Sequence, residues 1–152
     1  MDDYLAAWFV HDCGGTVPVR LPRGSVESIY LQSLLTTRRG VTAPPVDNTP
    51  GTDVIIPENR HKPAAYYNHL PPASHDTLVK VIKGRFDVDM WQFIHTLEQA
   101  GGLVTLSDLV YSFMEARGIP DTEKNWQAIV KRYQRRRNAY RAARSRRNAK
   151  SS

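Results

Sequence analysis

The residues whose types and spacing best suit a chemical task lie near the C-terminal end of this 152-residue chain. Lys131, Arg132, Gln134, Arg135, Arg136, Arg137, Asn138, Arg141, Arg144, Arg146 and Arg147 stand within 17 positions. Arginine presents a planar fork of donors that can grip a phosphate with two bonds or read a guanine edge. Gln134 and Asn138 are four apart, one helical turn, and carry the amide groups that pair with adenine. The task implied is binding to a polyanion.

The charge distribution sharpens that reading. The chain has 21 Lys+Arg and 15 Asp+Glu, net +6. Residues 1–123 hold 10 of the cations and all 15 acids, whereas residues 124–152 hold 11 cations and no acid. A surface built only for solubility mixes its signs. A one-signed segment repels itself, and a polyanionic partner offsets that cost. Nucleic acid is the leading candidate; an acidic protein or anionic membrane surface comes after it.

Other reactive residues do not assemble a site. His11-Asp12-Cys13 suggests a nucleophile or metal, but a lone cysteine lacks zinc-site spacing, and a reactive thiol needs a specified environment. His61, His69 and His75 form no HxxxH or HExxH pattern and read as loop histidines. His95 reads as a helix-surface residue. Asp87 and Asp89 read as acids opening a helix, where they favour its dipole. Gly14-Gly15 and Gly101-Gly102 lack the lysine and hydroxyl of a phosphate loop. The expectation is no catalytic residue, no metal, no cofactor and no enzyme activity.

These side chains must be positioned by elements that the pattern also predicts. Asp2 or Asp3 caps a short helix with Tyr4, Leu5, Trp8 and Phe9 on one face, stopped at Gly14-Gly15. Thr16–Leu21 reads as a short edge strand. Ser25 caps a helix from Val26 to about Thr36, with Val26, Ile29, Tyr30 and Leu34 as its apolar stripe. Residues 38–73, rich in proline, read as a linker or extended arm, with Tyr66-Tyr67 docking on the helices that follow.

From Ser74 onward four helices are expected. The first, capped at Ser74 or Asp76, carries Leu78, Val79, Ile82 and Phe86. The second opens near Asp87 or Asp89 and buries Met90, Trp91, Ile94 and Leu97. The third opens on Thr105-Leu106-Ser107-Asp108, a capping-box pattern, and buries Leu106, Leu109, Val110, Phe113 and Met114. The last, capped by Asp121 or Thr122, runs through Trp126, Ile129, Val130, Tyr133 and Tyr140. The organisation expected is therefore mainly α: a small N-terminal module with a short strand (1–37), a Pro-rich arm (38–73), and a helical nucleic-acid-binding bundle ending in a long basic helix (74–152). The longest apolar run, Leu5–Val10, is too short for a membrane span or signal-peptide core, and one cysteine suits a reducing cytoplasm.

Two resemblances follow from these residues. Leu103–Arg137, an amphipathic helix, a turn and a basic amphipathic helix, resembles a helix-turn-helix or Myb-like unit, although Gly118–Thr122 is longer than the usual turn. Tyr67-Asn68-His69-Leu70-Pro71, Phe86–Trp91, Asn125–Ile129 and Tyr133–Arg137 together look like small uncharacterised proteins encoded in bacterial mobile elements, notably of Bacteroidota. That resemblance implies a DNA-associated accessory or regulatory role and carries no activity to transfer. The function expected is DNA-favouring nucleic-acid binding in the cytoplasm or nucleoid, with Lys131, Arg132, Arg135, Arg136, Arg137, Arg141 and Arg144 supplying most of the affinity. The alternative is a protein–protein adaptor docking through Trp8, Phe9 and Tyr30, its basic tail resting on acidic or RNA surfaces.

Overall fold

A computed structural model describes residues 1–37 and 51–151. The architecture is mainly helical: α1 (Asp3–Asp12), β1 (Val19–Arg20), α2 (Val26–Leu34), β2 (Thr36–Thr37), β3 (Val54–Ile55), β4 (Tyr67–His69), α3 (Pro72–Gln99), α4 (Leu106–Ala116) and α5 (Glu123–Ser151). The chain forms two compact units, Met1–Phe86 and Asp87–Ser152.

In the first unit, the four apolar side chains of α1 predicted to share a face are all buried. Tyr4 and Trp8 meet Phe86 with ring centroids 5.2 and 5.6 Å away, and Val19, Leu21, Leu31, Leu35 and Ile82 complete the core. Part of the arm is built into this unit. β1 pairs in parallel with β3, Val19 opposite Val54, and β2 pairs antiparallel with β4, Thr36 opposite His69. The strand expected over Thr16–Leu21 is thus two residues long, and the partner that satisfies it comes from the Pro-rich stretch. The rest of that stretch, 38–50, lies outside the described residues.

The Ser25 cap is present, its hydroxyl accepting from the Ser28 N–H at 3.2 Å. The face that α2 buries is not the predicted one. Val26, Ile29 and Tyr30 are exposed, while Glu27, Ser28 and Leu31 are buried. The helix turns Glu27 inward because Arg85, 58 residues later, supplies a guanidinium at 2.5 Å. It also ends earlier than predicted, since Thr36 and Thr37 leave it to pair with β4. Tyr66, expected to dock on helices, is 70% exposed; Tyr67 is half-buried in β4 beneath the Lys62 ammonium, 5.6 Å from its ring centre.

α3 replaces two predicted helices with one of 28 residues. It begins at Pro72, where a missing N–H costs nothing, rather than at Ser74 or Asp76. No break occurs at 87–89 because Ile82, Phe86, Met90 and Ile94, spaced by four, keep one stripe buried throughout. In the second unit α4 follows its prediction closely. Thr105 Oγ accepts from the Asp108 N–H at 3.2 Å, and Leu109, Val110, Phe113 and Met114 are buried. Gly118, at φ +64°, reverses the chain after α4 and lets the Ile119 N–H reach the Met114 carbonyl at 2.9 Å. Thr122 then caps α5, its hydroxyl accepting from the Asn125 N–H at 3.2 Å.

Candidate nucleic-acid interface

α5 is 29 residues long, about 43 Å at the rise of an α-helix. Its first half is held by one stripe. Ile129 and Tyr133 are fully buried, Asn125 is buried with its amide donating to the Pro120 carbonyl at 3.1 Å, and Trp126 stacks on Tyr111 at 5.8 Å. Tyr140 closes the stripe, with its ring 5.3 Å from Trp91 and 5.0 Å from His95.

Two predicted contact residues flank this stripe and are already occupied. The Arg132 fork grips Asp87 with both arms, Nη2 to Oδ2 at 2.8 Å. Arg137 Nη1 donates to Glu98 at 3.1 Å. Arg117 does the same outside α5, forking onto Asp89 at 2.7 and 3.0 Å while lying over Phe93 and Phe113. Asp87 and Asp89, read as acids opening a helix, sit instead within α3 and anchor α5 and the end of α4. Each pair is about three-quarters withdrawn from water, deep enough to outlast ordinary salt screening.

The remaining predicted residues divide in two. By helical periodicity Lys131, Gln134, Arg135, Asn138 and Arg141 share the face opposite the anchoring stripe, and all five are exposed. Arg136 lies near the stripe with its guanidinium 5.5 Å above the Trp91 ring. Beyond Tyr140 every described residue except Ala143 is exposed, including Arg144, Arg146, Arg147 and Lys150. Among the described residues Lys131, Arg135, Arg141, Arg144, Arg146, Arg147 and Lys150 make no ion pair. α5 therefore presents a bare cationic face and, after Tyr140, a cationic cylinder.

Several single residues fall differently from their sequence reading. His95 is half-buried rather than on a helix surface, stacked 4.1 Å from Trp91 at an interplanar angle of 13°. Trp91 is only half-buried and shares its ring faces with His95, Tyr133, Tyr140 and Arg136. Burial, with the Glu98 charge second, pushes the Tyr133 hydroxyl up to about 12. Trp8 and Phe9 are 1% and 2% exposed, so they are core and cannot meet a partner as the adaptor reading required. Burial, followed by the Asp12 and Glu27 charges, raises the Cys13 thiol to about 11, so it is protonated at neutral pH. Among the described residues no cluster of three or more His, Cys, Asp or Glu is arranged to hold a metal ion, and no helix is long and apolar enough to cross a membrane.

The arrangement of α4 and α5 departs from a helix-turn-helix in where its cations stand as well as in the length of its turn. The connection from Arg117 to Thr122 is followed by an α5 first turn that opens on Glu123, and the free cationic face begins only at Lys131. A recognition helix makes base contacts from its N-terminal residues; here every cation but Lys124 lies in the middle and distal turns. No protein-family model, no curated protein and no solved structure matches the chain.

Proposed function

We propose that this protein binds nucleic acid, duplex DNA in preference to RNA, through α5, and that it acts as a non-enzymatic accessory or regulatory factor. The observation that carries the reading is the arginine-rich helix, acid-free after Glu123, that continues past its last anchor at Tyr140 with the cations beyond that anchor in no ion pair among the described residues. An isolated segment of that length and sign gains little as a helix. Like charges at i,i+3 and i,i+4, such as Arg137 with Arg141 and Arg144 with Arg147, each cost about 0.2–0.5 kcal/mol. Phosphates laid along it turn those costs into attraction and release condensed counterions.

In this reading Lys131, Arg135 and Arg141 contact phosphates from the solvent face, Gln134 and Asn138 lie between them facing a groove, and Arg144, Arg146 and Arg147 extend the track. Arg132 and Arg137 hold the helix rather than the ligand. Cytoplasmic or nucleoid residence follows from the same proposal.

The test is fluorescence anisotropy against duplex DNA, single-stranded DNA and duplex RNA across a salt series. Four to six neutralised phosphates give a log–log slope between about −3.6 and −5.4 on duplex DNA. Absence of binding to all three at low salt refutes the proposal. One observation favours a second reading: Val26, Ile29 and Tyr30 are exposed together on α2. A protein partner docking there would bind with almost no salt dependence.

A further inference from the structure

Three arginines of the first unit line one groove, and the local chain brings them there. β1 sets Arg20 opposite Ile55 of β3. The turn after β1 is closed by the Ser25 N–H donating to the Pro22 carbonyl at 3.0 Å, with Gly24 at φ +76°, and it carries Arg23 into the start of α2. The stretch after β3 is tied to α2 by Asn59, whose amide donates to Gln32 at 2.8 Å, and it ends on Arg60. These three stretches enclose a groove of about 1180 Å3.

Arg20, Arg23 and Arg60 all line the groove and all are exposed, so a ligand can reach them. None of the three makes an ion pair among the described residues. Glu58 is the one acid in the lining. Residues 1–86 hold 9 Lys+Arg and 8 Asp+Glu, so a nearly neutral unit gathers net positive charge in this groove. Much of the remaining lining is apolar, including Leu21, Ile29, Ile55 and Ile56, and Ile29 is 59% exposed. Covering that isoleucine would recover free energy in proportion to the apolar area removed from water. No aromatic ring lines the groove, so a nucleobase has nothing to stack on. The volume lies above the range of about 300–1,000 Å3 that holds small molecules. The chemical complement is a stretch of chain that is anionic and partly aliphatic.

We propose that this groove docks an acidic peptide segment of a protein partner, its carboxylates on Arg20, Arg23 and Arg60 and an aliphatic side chain against Ile29 and Ile55. A guanidinium fork matches a carboxylate with two parallel bonds, which gives the rim specificity as well as attraction. The site is independent of nucleic-acid binding by α5. It also differs from a partner held by the apolar face of α2 alone, because the arginines are required.

The experiment is fluorescence anisotropy of the full chain with two labelled glutamate-rich decapeptides, one with a central leucine pair and the other with serines there. α5 attracts either peptide by charge, so the difference between them reports the groove. The leucine peptide is expected to bind at least about tenfold tighter than the serine peptide, the gain from burying one leucine side chain. Arg23→Glu combined with Arg60→Glu sets acid against acid and is expected to weaken the leucine peptide at least about tenfold and to erase the preference. Arg135→Ala combined with Arg141→Ala is expected to weaken both peptides alike and to keep the preference. Circular dichroism checks that each variant is folded. Should the Arg23/Arg60 variant fail that check, Ile29→Ser, at an exposed position, tests the same loss of preference. The proposal is overturned if the two peptides bind the native chain alike or if the preference survives the groove substitutions. It is also overturned if Arg23→Glu with Arg60→Glu keeps the peptide and loses duplex DNA, which would make the groove a nucleic-acid contact.

Discussion

Replacing Arg132 and Arg135 one at a time by alanine separates the part of α5 that holds the fold from the part assigned to the ligand. The Arg132 fork and Asp87 are 30% and 24% exposed. Exposed ion pairs contribute about 0.2–1 kcal/mol, and breaking a fully buried pair costs about 3–5 kcal/mol. A two-bond pair three-quarters out of water falls between these, so Arg132→Ala is expected to cost about 1–2 kcal/mol, the same range the limits bracket. At about 2–4 °C per kcal/mol for a chain of this size, the melting temperature falls by about 2–8 °C. Arg135 is exposed and makes no ion pair among the described residues, so Arg135→Ala should move melting by less than about 2 °C. On duplex DNA the order reverses: Arg135→Ala flattens the salt slope by about 0.9 for one lost phosphate contact, and Arg132→Ala leaves the slope unchanged. Thermal melting by circular dichroism and an anisotropy salt series measure both. A stable Arg132→Ala protein with a flattened slope, or an Arg135→Ala protein destabilised as much as Arg132→Ala, would refute the partition.

Four further outcomes follow from the structure. Ending the chain after Tyr140 removes only exposed helix and Ala143, so melting should shift by no more than the equivalent of about 0.5 kcal/mol while duplex affinity collapses; a large loss of stability would show that the tail packs. Thr105→Ala removes the hydroxyl that caps α4 and should cost about 1 kcal/mol, read from the urea midpoint. Cys13, held up at about 11, should react with iodoacetamide at pH 8 far more slowly than a free thiol, and a reactivity midpoint below 9 would contradict its burial. Cys13 and Tyr133 both have raised values, so the folded state holds their protons more tightly than the unfolded chain. Their stabilisation is complete below the ordinary thiol and phenol values of 9.0 and 10.0 and is lost as pH climbs through about 11 and 12, so melting temperature should fall across that alkaline window.

Local signals in the sequence were enough to locate the parts that depend on neighbours in the chain. Ser25, Thr105 and Thr122 cap as their types and positions imply, because capping joins residues three apart. The α4 stripe and the α1 face follow from apolar spacing alone. Long-range pairing was invisible. Glu27 turns inward for an arginine 58 residues away, which rotates the whole of α2 and exposes Val26, Ile29 and Tyr30. Asp87 looks locally like a helix opener, but its partner Arg132 lies 45 residues on, and the buried stripe of α3 continues past it. Strands two residues long, such as β3 in the Pro-rich stretch, carry too little alternation to register in the sequence.

For the candidate interface the sequence located the charge and missed its division of labour. Arg132 and Arg137 are indistinguishable from Arg135 and Arg141 by type. Only the positions of Asp87 and Glu98, 45 and 39 residues earlier, set them apart. Tyr140, seven residues after Tyr133, was legible as the end of the anchoring stripe, whereas the Trp91 and His95 rings that it meets were not.

If α5 binds nucleic acid as proposed, the absence of acids after Glu123 bears on how it would let go of that ligand. Eight of its eleven cations are arginines, which keep their charge at every pH a cell reaches. A grip built on histidine could be loosened by a mild rise in pH, which strips its charge, and one built mainly on lysine by acetylation. This one offers neither handle along most of its length. Its release would be governed by competing polyanions and by ionic strength, so its occupancy would report the abundance of rival ligands rather than the proton concentration around it.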